Sequence, residues 1–425
     1  MDMEKDVVLV SYSTIRDAWK GGMGAASGAA MQALAGDPPE SQAALLVAFG
    51  QALRAIEAVD RGDSVMASPD HRLGSLLQSF LVERAIAERP DNIEPLQGGL
   101  FEVKFDQHDF AGWIGQFFTW YKRLSSHAWV DANEKPEPLN RNNFRMAVFG
   151  DWGTGCYGAP ACRESIEKYR GNYHIVLHLG DVYYSGTDGE IKDRFLKHWP
   201  RRTGAINRAI NGNHEMYTGG EAYFNAINSP LFAQAASYFA FENDYWILAG
   251  LDSAYKDKTL AGRQLEWLSS IIKEAANRKI LLFSHHQPFS LLNKFETSEL
   301  STRLQEFLAA GKIFAWYWGH EHRCVIYEQR SDWGMYGRCI GHGGYPHFND
   351  HFGSLPPLKQ YLWRKLVGKG AIPGCLVLDG QNPYVEGHEK DYAPHGYVAL
   401  KFDGARLHET FYAPDGIRLN EFELT

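Results

Sequence analysis

The chain is short of cysteine, of long single-sign charge runs and of long apolar runs. Its 425 residues hold five cysteines, Cys156, Cys162, Cys324, Cys339 and Cys375. None forms a C-x-x-C pair, and so sparse and odd a set argues against a disulfide framework and for a reduced, cytoplasmic protein. The formal net charge is -8 and no basic run stands out, which speaks against a long nucleic-acid partner. No segment reaches the ~20 apolar residues of a membrane span, so no membrane partner is expected. The opening MDMEKDVVLVSYSTIRDAWK is acidic, with an apolar run too short for a secretory leader. Internal repeats and low-complexity tracts are also missing, although GGMGAASGAA at 21–30 has a flexible composition.

What is present suits a packed core of more than one part, since 44% of the residues are hydrophobic. Residues 1–130 read as a helical N-terminal region of unassigned role. Leu45, Leu46, Phe49, Leu53 and Ile56 recur at helical spacing, as do Leu73, Leu76, Leu77, Phe80 and Leu81. DFAGWIGQFFTWYKRL places Phe110, Trp113, Ile114, Phe117, Trp120, Tyr121 and Leu124 on one stripe, read as packing against the rest of the fold. This region could cap a site, restrict substrate size or build a homo-oligomer. DANEKPEPLNRNN, 131–143, is polar with two prolines and reads as a linker.

From 144 to 425 the grammar is strand, turn, helix. RMAVFG, HIVLHLG, YWILAGL and KILLFSH are short apolar strands of the buried kind. GRQLEWLSSIIKEAANR and TSELSTRLQEFLAAG are intervening helices, and GCLVLDG, GYVALKFDG and ARLHETFYAPDG form a β-rich finish. The expected class is α/β (α+β).

Chemistry gathers where the apolar segments stop. GDWG at 150–153, GDVYY at 180–184, GNHE at 212–215, SHHQP at 284–288 and GHEH at 319–322 each follow one. Ligands in open α/β sheets collect beyond the carboxyl ends of strands. Each block alone is an ordinary turn or cap, but their order and shared context point to one site.

These blocks resemble the metallophosphoesterase (calcineurin-like) superfamily, and the sub-pattern GDxG, GDxxY, GNH(D/E), VxxH, GHxH is similar to that of purple acid phosphatases. The resemblance implies a four-layer αββα sandwich from about residue 144 onward and says nothing of residues 1–130. Most members carry Asp-x-His in the first block, whereas Gly153 stands here in the place of that histidine. Purple acid phosphatases compensate with a tyrosine three residues after the second-block aspartate, which is Tyr184 after Asp181; Tyr183 is a neighbour at another spacing. The resemblance therefore implies one metal held by Asp151, Asp181, Tyr184 and His322, and a second by Asp181, Asn213, His285 and His320. Leu282 replaces the valine of the fourth block, and His286 is the alternative to His285.

Oxygen and imidazole donors suit iron, zinc or manganese. A phenol with an ordinary pKa of about 10 needs a strong Lewis acid to become an anion at neutral pH, which favours Fe(III) plus a divalent ion of iron, zinc or manganese. The implied reaction is hydrolysis of a small phosphate ester by a metal-bridging hydroxide, with His214 protonating the leaving oxygen or stabilising the transition state. A phosphodiesterase acting on nucleotide-derived or other small diesters, or a metal-bound scaffold without catalysis, are the alternatives. Arg323, Arg338, His342, Tyr345, His347 and His286 are candidate substrate contacts, and Glu215 and Glu321 are candidates for orienting histidines.

Overall fold

The fold is described from a computed structural model. It covers residues 121–425 except 169–172, 202–203, 257, 293–296, 350–359 and 370–372. Before 121 it covers 8–9, 44, 47–48, 50–51, 71–88, 93–95, 101–103, 117–118 and 120. The first expected helical stripe lies outside the described residues, as do Phe110, Trp113 and Ile114 of the Phe110–Leu124 stripe.

Two sheets face each other. The nine-stranded sheet runs in the order 361–366, 375–380, 324–327, 336–340, 315–318, 279–284, 246–251, 239–242, 137–138. Its centre is parallel, with Trp246–Leu251, Lys279–Ser284, Ala315–Trp318 and Tyr336–Ile340 side by side. The six-stranded sheet runs 418–424, 406–412, 397–403, 143–149, 175–178, 206–209, and Asn143–Phe149, Ile175–His178 and Ile206–Ala209 are parallel. Strands buried on both faces need apolar side chains at successive positions, which is how VLHL- and LLF-type runs fold here.

Three apolar layers result. Phe144, Met146, Val148 and Leu177 meet Leu248, Phe283 and Tyr317 between the sheets. The outer face of the larger sheet packs Ile280, Leu282 and Trp316 against Trp267, Leu268 and Ile271 of helix Gln264–Lys273. The outer face of the smaller sheet packs Ala147, Phe149 and Val176 against Cys162 and Ile166 of helix Gly158–Lys168. Helix, sheet, sheet, helix is the four-layer sandwich expected of the sequence.

Three expectations change. The region 1–130 is not helical throughout, since Val8–Leu9, Phe101–Val103 and Ile93–Pro95 form a three-stranded sheet. The segment 131–143 is part of the nine-stranded sheet: Glu137–Pro138 pairs in parallel with Phe241–Glu242, and the Glu137 carboxylate accepts two bonds from Arg208, at 2.7 and 2.9 Å. Pro138 is tolerated because this is an edge strand, where no ladder donor is required of it. Arg338 is not available to a substrate. It is buried on strand Tyr336–Ile340 and bonds Glu409 of the other sheet through Nε and Nη2 at 2.9–3.0 Å. Its remaining donors reach the Tyr327 and Gly337 carbonyls, and Tyr317 Oη completes Glu409 at 2.6 Å.

Helix Arg72–Glu88 buries Leu73, Leu76, Leu77, Phe80 and Leu81, the second expected stripe. No helix among the described residues is long and apolar enough to cross a membrane.

Candidate metal centre

The five sequence blocks converge. Asp151 follows the strand ending at Phe149, Asp181 the one ending at His178, and Asn213 the one ending at Ala209. His285 follows Ser284, and His320 follows Trp318. The strand ends of both sheets thus open onto one place. Asp151, Asp181, His320 and His322 all have φ between 51° and 72°, a region that non-glycine residues occupy sparingly and that concentrates at functional sites. Around Asp151 the chain leaves no room for side chains: a Cβ on Gly319 or Gly341 would come within 2.5 or 2.8 Å of its Oδ2.

Two donor groups form. In one, Asp151, Asp181 and His322 each bring a donor atom within 4.8 Å of the others; His285, His286 and His320 form the second. Asp181 faces both, with Oδ1 3.3 Å from His285 Nε2 and Oδ2 3.8 Å from His322 Nε2.

The second group shows a surplus of lone pairs. His285 Nδ1 lies 2.9 Å from the Leu179 carbonyl, which can only accept, so that nitrogen carries the proton. In the neutral ring Nε2 is then a lone pair, and it faces Asn213 Oδ1 at 3.1 Å, His320 Nδ1 at 3.1 Å and Asp181 Oδ1. The Asn213 amide is oriented by Nδ2 donating to Tyr217 Oη at 2.7 Å, which turns its oxygen inward. Asn213 Oδ1, Asp181 Oδ1 and the His285 lone pair thus converge in a buried space that a cation would satisfy. His286 belongs to the same group and also faces Ser253 Oγ at 3.0 Å through Nδ1. Burial, then His320 and His285, hold its imidazole well below the ordinary range, in the neutral form that ligates metals.

In the first group the His320 N–H donates to both Asp151 oxygens, at 2.9 and 3.1 Å. Burial and the adjacent Asp181 push Asp151 well above the usual carboxylate range. Burial acts the same way on Asp181, but His285, His214, His322 and His320 outweigh it and hold Asp181 well below. Two carboxylates sharing one dry site cannot both ionise without added positive charge. Burial lowers His322 to about 4, leaving a neutral imidazole. The residues present therefore fit a pair of metal ions.

Tyr183, rather than Tyr184, is brought to this group. Its hydroxyl donates to Asp181 Oδ2 at 3.0 Å and lies 2.6 Å from His322 Nε2. Tyr184 turns the other way, its ring lying 5.1 Å from the Arg194 guanidinium and its N–H bonded to Glu190. Gly153 explains how the ring of Tyr183 fits. With φ +62°, a side chain there would meet Tyr183 Cδ2 at 3.1 Å and Tyr345 at 3.4 Å. The place of the missing histidine is filled by the Tyr183 ring and by Cα and Cβ of Tyr345.

His214 lies against Tyr183, ring centroids 3.8 Å apart. Its Nδ1 is 2.6 Å from the Tyr184 carbonyl, which fixes the tautomer and leaves Nε2 as the nitrogen that gains or gives a proton. Glu215 does not orient a histidine; it accepts the backbone N–H groups of Asp181, Val182 and Gly212 at 2.8–3.1 Å and so ties the second block to the third. Glu321 accepts from Ser290 Oγ and Trp318 Nε1. Of the candidate substrate contacts, Tyr345 flanks both His322, at 4.1 Å between centroids, and Tyr183, at 4.8 Å. Arg323 Nη2 is 2.6 Å from His347 Nε2, and the His347 ring is 5.8 Å from that of His322. His342 is buried and joins neither donor group.

Comparison with known proteins places this architecture. Residues 144–324 match the family model "Calcineurin-like phosphoesterase". A curated relative, "Probable glycerophosphodiester phosphodiesterase GpdQ" of Arcobacter nitrofigilis, is 26% identical over 179 residues, 38% of this chain and 61% of the relative. Among solved structures, purple acid phosphatase PPD1 from yellow lupin superposes with TM-score 0.49 at 16% identity, over 68% of this chain and 55% of the lupin chain. GAP50, described as the anchor in the inner membrane complex of Plasmodium, gives 0.48 at 13%, over 67% of this chain and 89% of its own. The chain thus covers less than two thirds of the length of the curated relative and of the lupin protein.

Proposed function

We propose that this protein hydrolyses phosphate esters as a metal-dependent phosphoesterase with a dinuclear centre. The observation that carries this reading is the convergence of His285 Nε2, Asn213 Oδ1, His320 Nδ1 and Asp181 Oδ1 on one buried space, with a carboxylate pair beside it. Asp151, Asp181 and His322, with Tyr183 as the phenol, would hold one ion; Asp181, Asn213, His285 and His320 would hold the other, with His286 adjacent. Two bound ions would supply positive charge for the phosphoryl oxygens and a water acidified enough to attack near neutral pH. The chain's own residues do the rest. Glu215 fixes the spacing of the two loops, the Tyr184 carbonyl holds His214 in one tautomer, and His214 Nε2 gives its proton to the leaving oxygen.

A phenol donor and imidazoles favour Fe(III) with divalent iron, zinc or manganese. The free, buried cysteines accord with a cytoplasmic setting.

The test is turnover of p-nitrophenyl phosphate and of its bis ester by protein loaded with iron–zinc, manganese or zinc. Monoester preference points to a phosphatase in which Arg323 and His347 meet the dianion. Diester preference favours the second reading, a phosphodiesterase, for which the activity named for the curated relative is the motive. Tight metal binding with no turnover of either would leave a metal-bound scaffold.

A further inference from the structure

Helix Arg72–Glu88 lies outside the matched domain, yet it reaches the loops that carry the site. Arg72, Leu76, Ser79 and Glu83 follow at intervals of four, three and four, so they share one face. Leu76 on that face is fully buried. Ser79, equally buried, has its Oγ 2.6 Å from Ser185 Oγ and donates to Glu190 Oε1 at 2.9 Å. Arg72 Nε donates to the Tyr217 carbonyl at 2.9 Å.

Each contact lands one step from a site residue. Glu190 accepts the N–H groups of Tyr184, Ser185 and Thr187 at 2.7–3.1 Å. Arg194 joins Glu190 to the Tyr183 carbonyl, which it meets at 2.6 Å. That loop presents the Tyr183 hydroxyl to Asp181 and the Tyr184 carbonyl to His214 Nδ1. Tyr217, under Arg72, receives the Asn213 amide that turns its oxygen inward. One helix face therefore grips the Asp181–Thr187 loop and the Asn213–Tyr217 segment together.

We infer that helix Arg72–Glu88 is a clamp for the metal centre, with Ser79 and Arg72 as positioning residues that hold Tyr183, His214 and Asn213 in register. This rests on the proposed phosphoesterase reading for its kinetic arm, and on the metal site alone for its binding arm. A buried hydroxyl that satisfies both a carboxylate and a second hydroxyl suits a positioning role, because it fixes a distance without adding charge.

The experiment compares Ser79→Ala, Arg72→Met and Arg72→Lys with the parent chain of residues 1–425, with rates normalised to folded, metal-loaded molecules. Ser79→Ala and Arg72→Met should lower kcat about tenfold with KM within twofold, the range seen when groups supporting metal ligands are removed. Arg72→Lys, which keeps a donor, should restore most of it. In parallel, zinc affinity by chelator competition should fall about tenfold in Ser79→Ala and Arg72→Met. A helix that only stabilises the fold would lower the melting temperature and leave both normalised quantities within twofold of the parent, and that result overturns the clamp. If the parent hydrolyses no phosphate ester, the phosphoesterase reading fails and the zinc arm alone decides the clamp. If Ser79→Ala does not fold, Arg72→Met, at the exposed start of the helix, decides it.

Discussion

Two of the places where the molecule buries acidic side chains are equipped differently. Between the sheets, Glu409 is met by Arg338 and Tyr317, and every nitrogen of that guanidinium fork has an acceptor. At the strand ends, Asp151 and Asp181 share a dry space with His285, His320 and His322, and no Arg or Lys reaches them among the described hydrogen bonds. The chain gives Glu409 a permanent guanidinium, whereas among the described residues it gives the aspartates only histidines. The difference teaches that the deficit is selective, and that the missing charge is expected from solution.

Removing Asp181, which faces both donor groups, should produce the largest effect. Asp181→Ala should bind neither ion tightly and lose activity about a thousandfold or more, the scale of several kcal/mol of charge stabilisation; metal content by mass spectrometry and turnover check it. His214→Ala should lose about a hundredfold to ten-thousandfold in turnover while keeping its metals, because on the proposed reading its ring transfers a proton and holds no metal. Full activity there would remove it from the reaction. Arg338→Met should behave in the opposite sense, losing roughly 3–5 kcal/mol of stability in denaturant unfolding by stranding Glu409, with normal activity per folded molecule. Chelation should cost the parent about 2.7 kcal/mol relative to metal at a hundred times its Kd; an unchanged melting curve would mean that the strand-end carboxylates need no ion. The smallest and sharpest contrast is between two neighbours. In iron-loaded protein, Tyr183→Phe should abolish a visible tyrosinate–iron absorption band and Tyr184→Phe should retain it; the reverse pattern would return the ligand role to Tyr184.

Most of this site was legible because its elements are local. Each block places a polar residue one to four positions past an apolar strand, and a strand end is readable from a few residues. The layers followed for the same reason. What escaped depends on distant partners. Arg338 looked like a loop cation near the last block, but its meaning lies in Glu409, which belongs to the other sheet. Glu137–Pro138 looked like linker because its strand is two residues long and acquires its partner from Phe241–Glu242. The choice between Tyr183 and Tyr184 turns on which ring faces inward, and two tyrosines in succession give the sequence no means to say. The space left by Gly153 was visible as an anomaly; what fills it was not. The clamp helix offered its apolar stripe, but Ser79 is one serine among many until Glu190 is seen beneath it.

Four side chains at the centre sit on backbone that glycine would adopt more comfortably. Asp151, Asp181, His320 and His322 each hold a left-handed conformation that costs of order 1–3 kcal/mol where the surroundings do not repay it. An engineer screening metal-free protein for heat resistance would therefore be drawn to glycine at these positions and would recover sturdier molecules stripped of their ligands. The screen has to be run with metal present, where the ions reward the very residues the backbone disfavours. Tolerance maps gathered without metal would be misleading in the same way, marking as dispensable the places on which the chemistry depends.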